Sequence, residues 1–366
     1  MRSFACVCGN AIYFENDRCL SCGRSLGFLP DLLTLSAFDE LTADAPALDP
    51  QALGRTYSPC RNYIENQTCN WMLPSGSSDK YCLSCGLNAV IPDLSAPRRI
   101  QLWYEVEKAK RRLLYSLLSL GLPVEGKRER ADGLAFRILA DERLDQDRAT
   151  AIIDEPVTTG HYAGFVTINL MEADRRMREE MREAMNESYR TVLGHFRHES
   201  GHYYWARLVG PTADLARFRK RFGDESHDYA QSLKAYYDNG PAPEWRENYI
   251  TAYASSHPLE DFADTWAHYL HIVDTLETAN DSQLTIGARK LGAPAISDSI
   301  QTEPSNAATN HFDETLEDWV VLTRTMNLLN RSMGLEDAYP LALAPNVIEK
   351  LRFVQHLVQA RARRSS

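Results

Sequence analysis

Residues 195–205 read HFRHESGHYYW, with three histidines and one glutamate within eight positions. His198, Glu199 and His202 spell His-Glu-x-x-His. On a helix, positions i and i+4 lie about 40° apart, so these two imidazoles face one point. Glu199 projects about 100° from His198, near enough to reach a water beside a metal without ligating the metal. Two ligands, an open position and a carboxylate base are what metal-assisted hydrolysis requires. The bland alternative is a surface helix with coincidental polar spacing. His195, one turn before His198, is read as a packing neighbour, with direct involvement as the alternative. Gly201 lowers helix propensity by about 1 kcal/mol, which makes sense only if something packs closely there.

A third ligand is required, and SSHPLEDFADTWAHYLHI (255–272) is where it is expected. Glu260 and Asp264 are four apart, on one helical face. Glu-x-x-x-Asp downstream of His-Glu-x-x-His resembles the gluzincin arrangement. That resemblance implies Glu260 as a zinc ligand and Asp264 as the acceptor that orients a ligand histidine. Asp261 and His257 are the runners-up for the ligand, and Glu260 also suits a first helical turn after Pro258, where an acid is favoured. Eleven positions after Glu260, His271 returns to nearly the same face. His271 and Tyr253 are taken as catalytic candidates that could stabilise an oxyanion, with His268 and Tyr203 beside them.

All eight cysteines lie in the first 85 residues. Cys6, Cys8, Cys19 and Cys22 precede Cys60, Cys69, Cys82 and Cys85, and the segment CLSCG occurs in both groups. A Cys-x2-Cys turn followed by Gly aims two thiolates at one ion, and zinc takes four such ligands in a tetrahedron. Two structural zinc sites are expected, each held by the four cysteines of one group. Interleaved ligation, with Cys6 and Cys8 joining Cys82 and Cys85, stays open. Free or disulfide-bonded cysteines are the plain alternative. Units this small lack the core to fold alone, so metal would supply folding energy.

The elements that must hold these groups follow from periodicity. Trp103, Val106, Leu113, Leu117 and Leu120 recur at helical spacing, and Gly121 with Pro123 ends that helix. LAFRILADE and TGHYAGFVTINL read as strands, with GFVTINL as a cleft edge onto which an extended peptide could pair. YRTVLGHFRHESGHYYWARLVG reads as the motif helix, capped by Asn186 or Ser188 and stopped by Gly210-Pro211. Residues 212–238 read as one helix, 243–279 as another broken near Pro258, and 280–312 as loop. The final fifty or so residues read as helical, ending in a basic tail.

Hydrophobic content of 44% and charged content of 25% are ordinary for a globular chain. The net charge of −10 argues against a nucleic-acid partner, and residues 1–95 are acidic too, with six Lys/Arg against ten Asp/Glu. No apolar run approaches the ~20 residues that span a bilayer, and the N-terminus lacks the layout of a secretory signal. No membrane association and a cytoplasmic location are expected.

The segments CVCGN…CLSCG, CNWML, YRTVLGHFRHESGHYYW, AYASSHPLEDFADTWAHYLHIVDTLETA and NRSMGLEDAYP together resemble a bacterial family of zinc metallopeptidases with an N-terminal zinc ribbon. The resemblance spans nearly the whole chain. It implies an α+β, mostly helical fold: a gluzincin-like metallopeptidase domain with a small antiparallel sheet, preceded by a small Cys-rich region. The expected divisions are 1–95 (ribbons), 96–285 (peptidase core), 286–315 (loop insertion) and 316–366 (C-terminal helices). Arg331 is read as pairing with Asp337 to fix a turn, with substrate-carboxylate binding as the alternative. The expected activity is hydrolysis of a peptide or protein substrate with one catalytic and two structural zincs and Glu199 as general base. The rival is a zinc-stabilised interaction module whose ribbons recruit a protein partner and whose His-Glu-x-x-His site is inactive or structural. Hydrolysis of a non-peptide amide is a third option.

Overall fold

The computed structural model describes residues 2–140, 157–184, 190–210, 212–287, 289–292, 306–339 and 342–365. About half of the chain is helical, with small sheets and an N-terminal Cys-rich region. The chain divides into two compact units, Arg2–Ser119 with Pro123–Phe196, and Leu120–Leu122 with Arg197–Ser366.

In the first unit, three small antiparallel sheets frame the cysteines. Phe4–Ala5 pairs with Ala11–Ile12, Ser25–Leu29 with Thr34–Phe38, and Thr56–Pro59 lies between Ala45–Pro46 and Met72–Pro74. Their apolar faces do not close on themselves. Phe14 and Phe28 meet Tyr115 of the long helix Pro97–Ser119 edge-on, and Phe28 also packs at a tilt on Trp71. That helix buries Trp103, Val106, Leu113 and Leu117, the positions its period marks.

A four-stranded sheet completes this unit, in the order Gly160–Tyr162, Phe165–Asn169, Ala135–Leu139, Asn88–Val90. The pairs between the last three strands are parallel and the first pair is antiparallel, so this sheet is mixed. Val166 and Ile168 are fully buried while Phe165 and Thr167 are half-buried, the alternation of a strand with one core face. TGHYAGFVTINL is a hairpin rather than one strand. Ala163 and Gly164 both have positive φ, 48° and 83°, as a two-residue primed turn requires. Phe165–Asn169 is therefore paired on both sides, which rules out GFVTINL as a free edge for a peptide. The edge on that side of the sheet is Gly160–Tyr162.

The second unit is helical. The motif helix runs Val192–Leu208. Its expected caps, Asn186 and Ser188, lie outside the described residues, and Thr191 does the capping, its Oγ1 accepting from Gly194 N at 2.9 Å. Pro211 also lies outside them. The stretch 212–238 is two helices, Leu215–Phe222 and Tyr229–Asn239. Gly223, at φ 99°, ends the first, and Asp228 caps the second by accepting from Gln231 N. Trp245–Asn248 and a 3-10 turn, Tyr253–Ser256, lead to the helix Pro258–Asp281. Of the stretch read as loop, 293–305 lies outside the described residues. The helix Asn306–Ser332 begins within that stretch, and Pro345–Ser365 follows it. Among the described residues, no helix is long and apolar enough to cross a membrane.

Candidate metal centres

Three groups of side chains bring potential ligand atoms within 4.8 Å of one another: Cys6, Cys8, Cys19 and Cys22; Cys60, Cys69, Cys82 and Cys85; and His198, His202 and Glu260. The cysteines therefore group in chain order, and the interleaved arrangement is not adopted. Sulfur pairs stand 3.6 Å (Cys6–Cys22), 3.7 Å (Cys8–Cys19) and 3.7 Å (Cys69–Cys82) apart. Four sulfurs around zinc at about 2.3 Å would stand about 3.8 Å apart, so the thiols already have the spacing of a tetrahedral thiolate site.

The two cysteine clusters differ in surroundings. In the outer one, Cys8 and Cys22 are exposed. Backbone N–H groups of Cys22 and Ser21 aim at the Cys19 sulfur and lower its pKa to about 6. All four cysteines of the inner one are buried. There burial dominates and holds the Cys82 thiol well above its usual range. Arg111, 1% exposed, lies beside this cluster. Its Nη1 donates to Thr68 O at 2.5 Å, and the charges of Cys69, Cys85 and Cys82 act on it.

The third group is built by two helices at close approach. A Cβ on Gly201 would stand 2.8 Å from Ala263 Cα, so only glycine lets the motif helix lie this near to Pro258–Asp281. Trp266 Nε1 donates to Ser200 Oγ at 3.1 Å, and Arg197 pairs with buried Asp274 at 2.5 Å, both fixing the same helix pair. Glu260 sits in the first turn after Pro258, 1% exposed. Its Oε2 lies 3.1 Å from His198 Nε2 and its Oε1 lies 3.3 Å from His202 Nε2.

Asp264 Oδ1 lies 2.6 Å from His198 Nδ1, so that nitrogen carries its proton toward Asp264. Thr251 Oγ1 donates to the other Asp264 oxygen. In the neutral ring His198 Nε2 is then a bare acceptor facing a carboxylate oxygen, and two acceptors at 3.1 Å repel unless a proton or a cation lies between them. Ligand atoms around zinc at about 2.0–2.1 Å would stand about 3.3–3.4 Å apart, close to the observed spacing, and two imidazoles with a carboxylate suit that ion. Burial opposes charge here, but the Asp264 and Glu260 carboxylates outweigh it and raise the His198 pKa well above its usual range. Burial likewise opposes ionisation of Glu260, and His198 and His202 outweigh it, holding that carboxyl far below its usual range. Glu199 is buried on the motif helix, and its charge acts on Tyr229.

Other candidates lie elsewhere. His257 caps the helix Pro258–Asp281, accepting from Leu259 N and donating to His227 O, so both its nitrogens are engaged. Asp261 is buried against Lys350 Nζ at 2.5 Å. The His271 ring packs on Trp319 and Tyr339, and burial lowers its pKa to about 3. His268 Nδ1 pairs with Tyr339 Oη at 2.9 Å, and Tyr203 accepts from Arg207. None of these three is among the ligand atoms that converge with His198, His202 and Glu260, although the His268 ring lies close enough for the charges of Asp264 and His198 to act on it. His195 faces Glu172, which also pairs with Arg190. Arg331 makes two 2.7 Å bonds to Asp337, the turn-fixing arrangement.

Tyr253 lies nearer, its ring 6.2 Å from that of His198. Tyr229, unmarked by any motif, donates to Glu260 Oε1 at 2.7 Å. No local signal could have found it, because its partner lies 31 positions away.

Residues 99–357 match the model of a family described as "putative zinc-binding metallo-peptidase", and residues 3–96 match a zinc-ribbon domain. Uncharacterized proteins of Mycobacterium bovis and Mycobacterium tuberculosis are each 38% identical over 361 residues, covering 98% of this chain and 95% of theirs. No solved structure matches the chain significantly. With the family pattern spanning most of the chain and both Cys-rich and His/Glu clusters assembled, this chain belongs to the zinc-binding metallopeptidase family with an N-terminal zinc ribbon.

Proposed function

We propose that the chain is a zinc-dependent peptidase of the gluzincin kind, with one zinc held by His198, His202 and Glu260 and two structural zincs held by the cysteine clusters. What supports this reading above all is the convergence of two imidazoles and one buried carboxylate, with facing atoms at 3.1 and 3.3 Å, beside Glu199 on the same helix as the imidazoles. A zinc held there would supply Lewis acidity, polarising a peptide carbonyl and acidifying a water. Glu199 takes the proton of the attacking water and passes it to the departing amine nitrogen. Asp264 keeps the His198 ring in one tautomer and orientation, with Thr251 holding Asp264 in turn.

Glu199→Gln keeps the shape and removes the base. The variant should retain its zinc and lose about 10²–10⁴-fold in cleavage of a diverse peptide pool, read by mass spectrometry. Cleavage at wild-type rate by this variant would refute the role of Glu199.

Three exposed apolar side chains in the segment of the outer cysteines, Val7, Tyr13 and Leu20 (94% exposed), favour a second reading in which the ribbons recruit a protein partner. If zinc at the His198 cluster has four protein ligands and the pool stays intact with the wild type, the interaction module is the better description.

A further inference from the structure

The two oxygens of Glu260 are not alike. Oε2 faces His198, whereas Oε1 faces His202 and also accepts from Tyr229 Oη. Glu260 is 1% exposed, so solvent does not offer an equivalent donor. Tyr253 also lies at the cluster, its ring 6.2 Å from that of His198.

We propose that Tyr229 is the positioning residue that holds Glu260 in its ligand orientation. This rests on the reading that His198, His202 and Glu260 hold zinc. A carboxylate can turn about its terminal torsion, and a donor fixed on one oxygen removes that freedom before the ion arrives. Asp264 does the same for His198 from the other side, through Nδ1. Such partners of ligands are worth about 10–100-fold in metal affinity or activity.

The origin of Tyr229 gives the proposal a second consequence. Tyr229 opens the helix Tyr229–Asn239, none of whose residues is buried. The start of this helix and the residues just before it meet the capped N-terminus of Pro258–Asp281 three times: through Tyr229 to Glu260, through the Tyr229 ring on the capping His257 at 5.1 Å, and through His227 O to His257 Nε2. Linkage is reciprocal, so whatever order Tyr229 imposes on Glu260, metal binding must return to this helix.

The test uses the full chain as wild type, Tyr229→Phe and Tyr253→Phe, with zinc affinity read by competition with a chromophoric chelator. Hydrogen exchange over residues 230–239 is followed with and without zinc. Tyr229→Phe removes one hydroxyl and should weaken one zinc by about 10–100-fold, leaving the other zincs unchanged and abolishing zinc-induced protection of the helix. Tyr253→Phe, which leaves the direct donor in place, should show a smaller loss at the same zinc. Affinity within about twofold of wild type in Tyr229→Phe, with protection retained, overturns the proposal, since a positioning donor is worth more than that. A double variant, His198→Ala with His202→Ala, separates the premise from the inference. If it binds as many zincs as wild type, the His198 cluster is not a zinc site, and the Tyr229 proposal falls for that reason alone.

Discussion

The inner cysteine cluster and the His198–His202–Glu260 cluster solve opposite problems. Four buried thiols, one pair from the short turn Cys82–Cys85 and the other from Cys60 and Cys69 nine positions apart, would complete a tetrahedron around an ion with no position left for a substrate or a water. The histidine cluster would supply three ligand atoms, and groups around it act on those side chains: Asp264 on His198, Thr251 on Asp264, Tyr229 on Glu260. A closed set buries its charge and stabilises the fold around it. An open set keeps a coordination position and depends on a preassembled frame for its geometry. The outer cysteine cluster likewise offers four thiols but exposes Cys8 and Cys22.

The largest effect expected from this contrast is at the inner cluster. Cys82→Ser should lose one zinc and with it the cooperative melting of the Cys-rich region, since binding at structural zinc sites is worth roughly 10–16 kcal/mol of folding free energy. Circular dichroism with metal counting reads it. A folded Cys82→Ser chain with native melting would erase the distinction between the clusters.

Next in size is Arg111→Met. It removes the buried cation next to the inner thiols and should cost about 3–5 kcal/mol, the usual penalty for leaving buried charge unpaired, measured by urea unfolding of the zinc-loaded chain. If stability is unchanged, the inner site does not depend on a counter-charge.

Smaller again is Gly201→Ala, which touches no ligand. Its Cβ would meet Ala263 Cα at 2.8 Å, pushing the two helices apart. A cost of about 1–3 kcal/mol is expected, with zinc weakened at the histidine cluster alone. Equal weakening at a cysteine cluster would contradict the idea that the helix pair is the frame of the open site.

Much of the local organisation was legible in the chain alone. The four-residue spacing of His198 and His202 needs only helical geometry, and the Cys-x2-Cys turns need only a tight turn. The long helix was legible because Trp103, Val106, Leu113 and Leu117 bury one stripe. Other features were hidden for identifiable reasons. Residues 212–238 carry helix-forming residues on both sides of GDESHD (223–228), and the break falls there, where Gly223 takes a left-handed conformation. The hairpin at Ala163–Gly164 was hidden because its first strand, Gly160–Tyr162, is three residues long and buries none of them, so it carries no periodic signal. His257 and Asp261 carry suitable chemistry, and only their engagement by His227 O and Lys350 removes them from the ligand set.

The sequence by itself determined which residue types could meet within one turn of helix or one chain reversal, because backbone geometry sets those distances without reference to the rest of the molecule. It did so for the His198–His202 pair and for each cysteine turn. Tertiary structure alone decided which cysteines share a cluster and that Glu260 faces both imidazoles. It also decided that Tyr229 reaches Glu260 across 31 positions and that Gly201 lies against Ala263. Those are meetings between segments whose separation along the chain carries no distance information. They exist only once burial of Phe262, Trp266 and their neighbours has fixed how the helices cross.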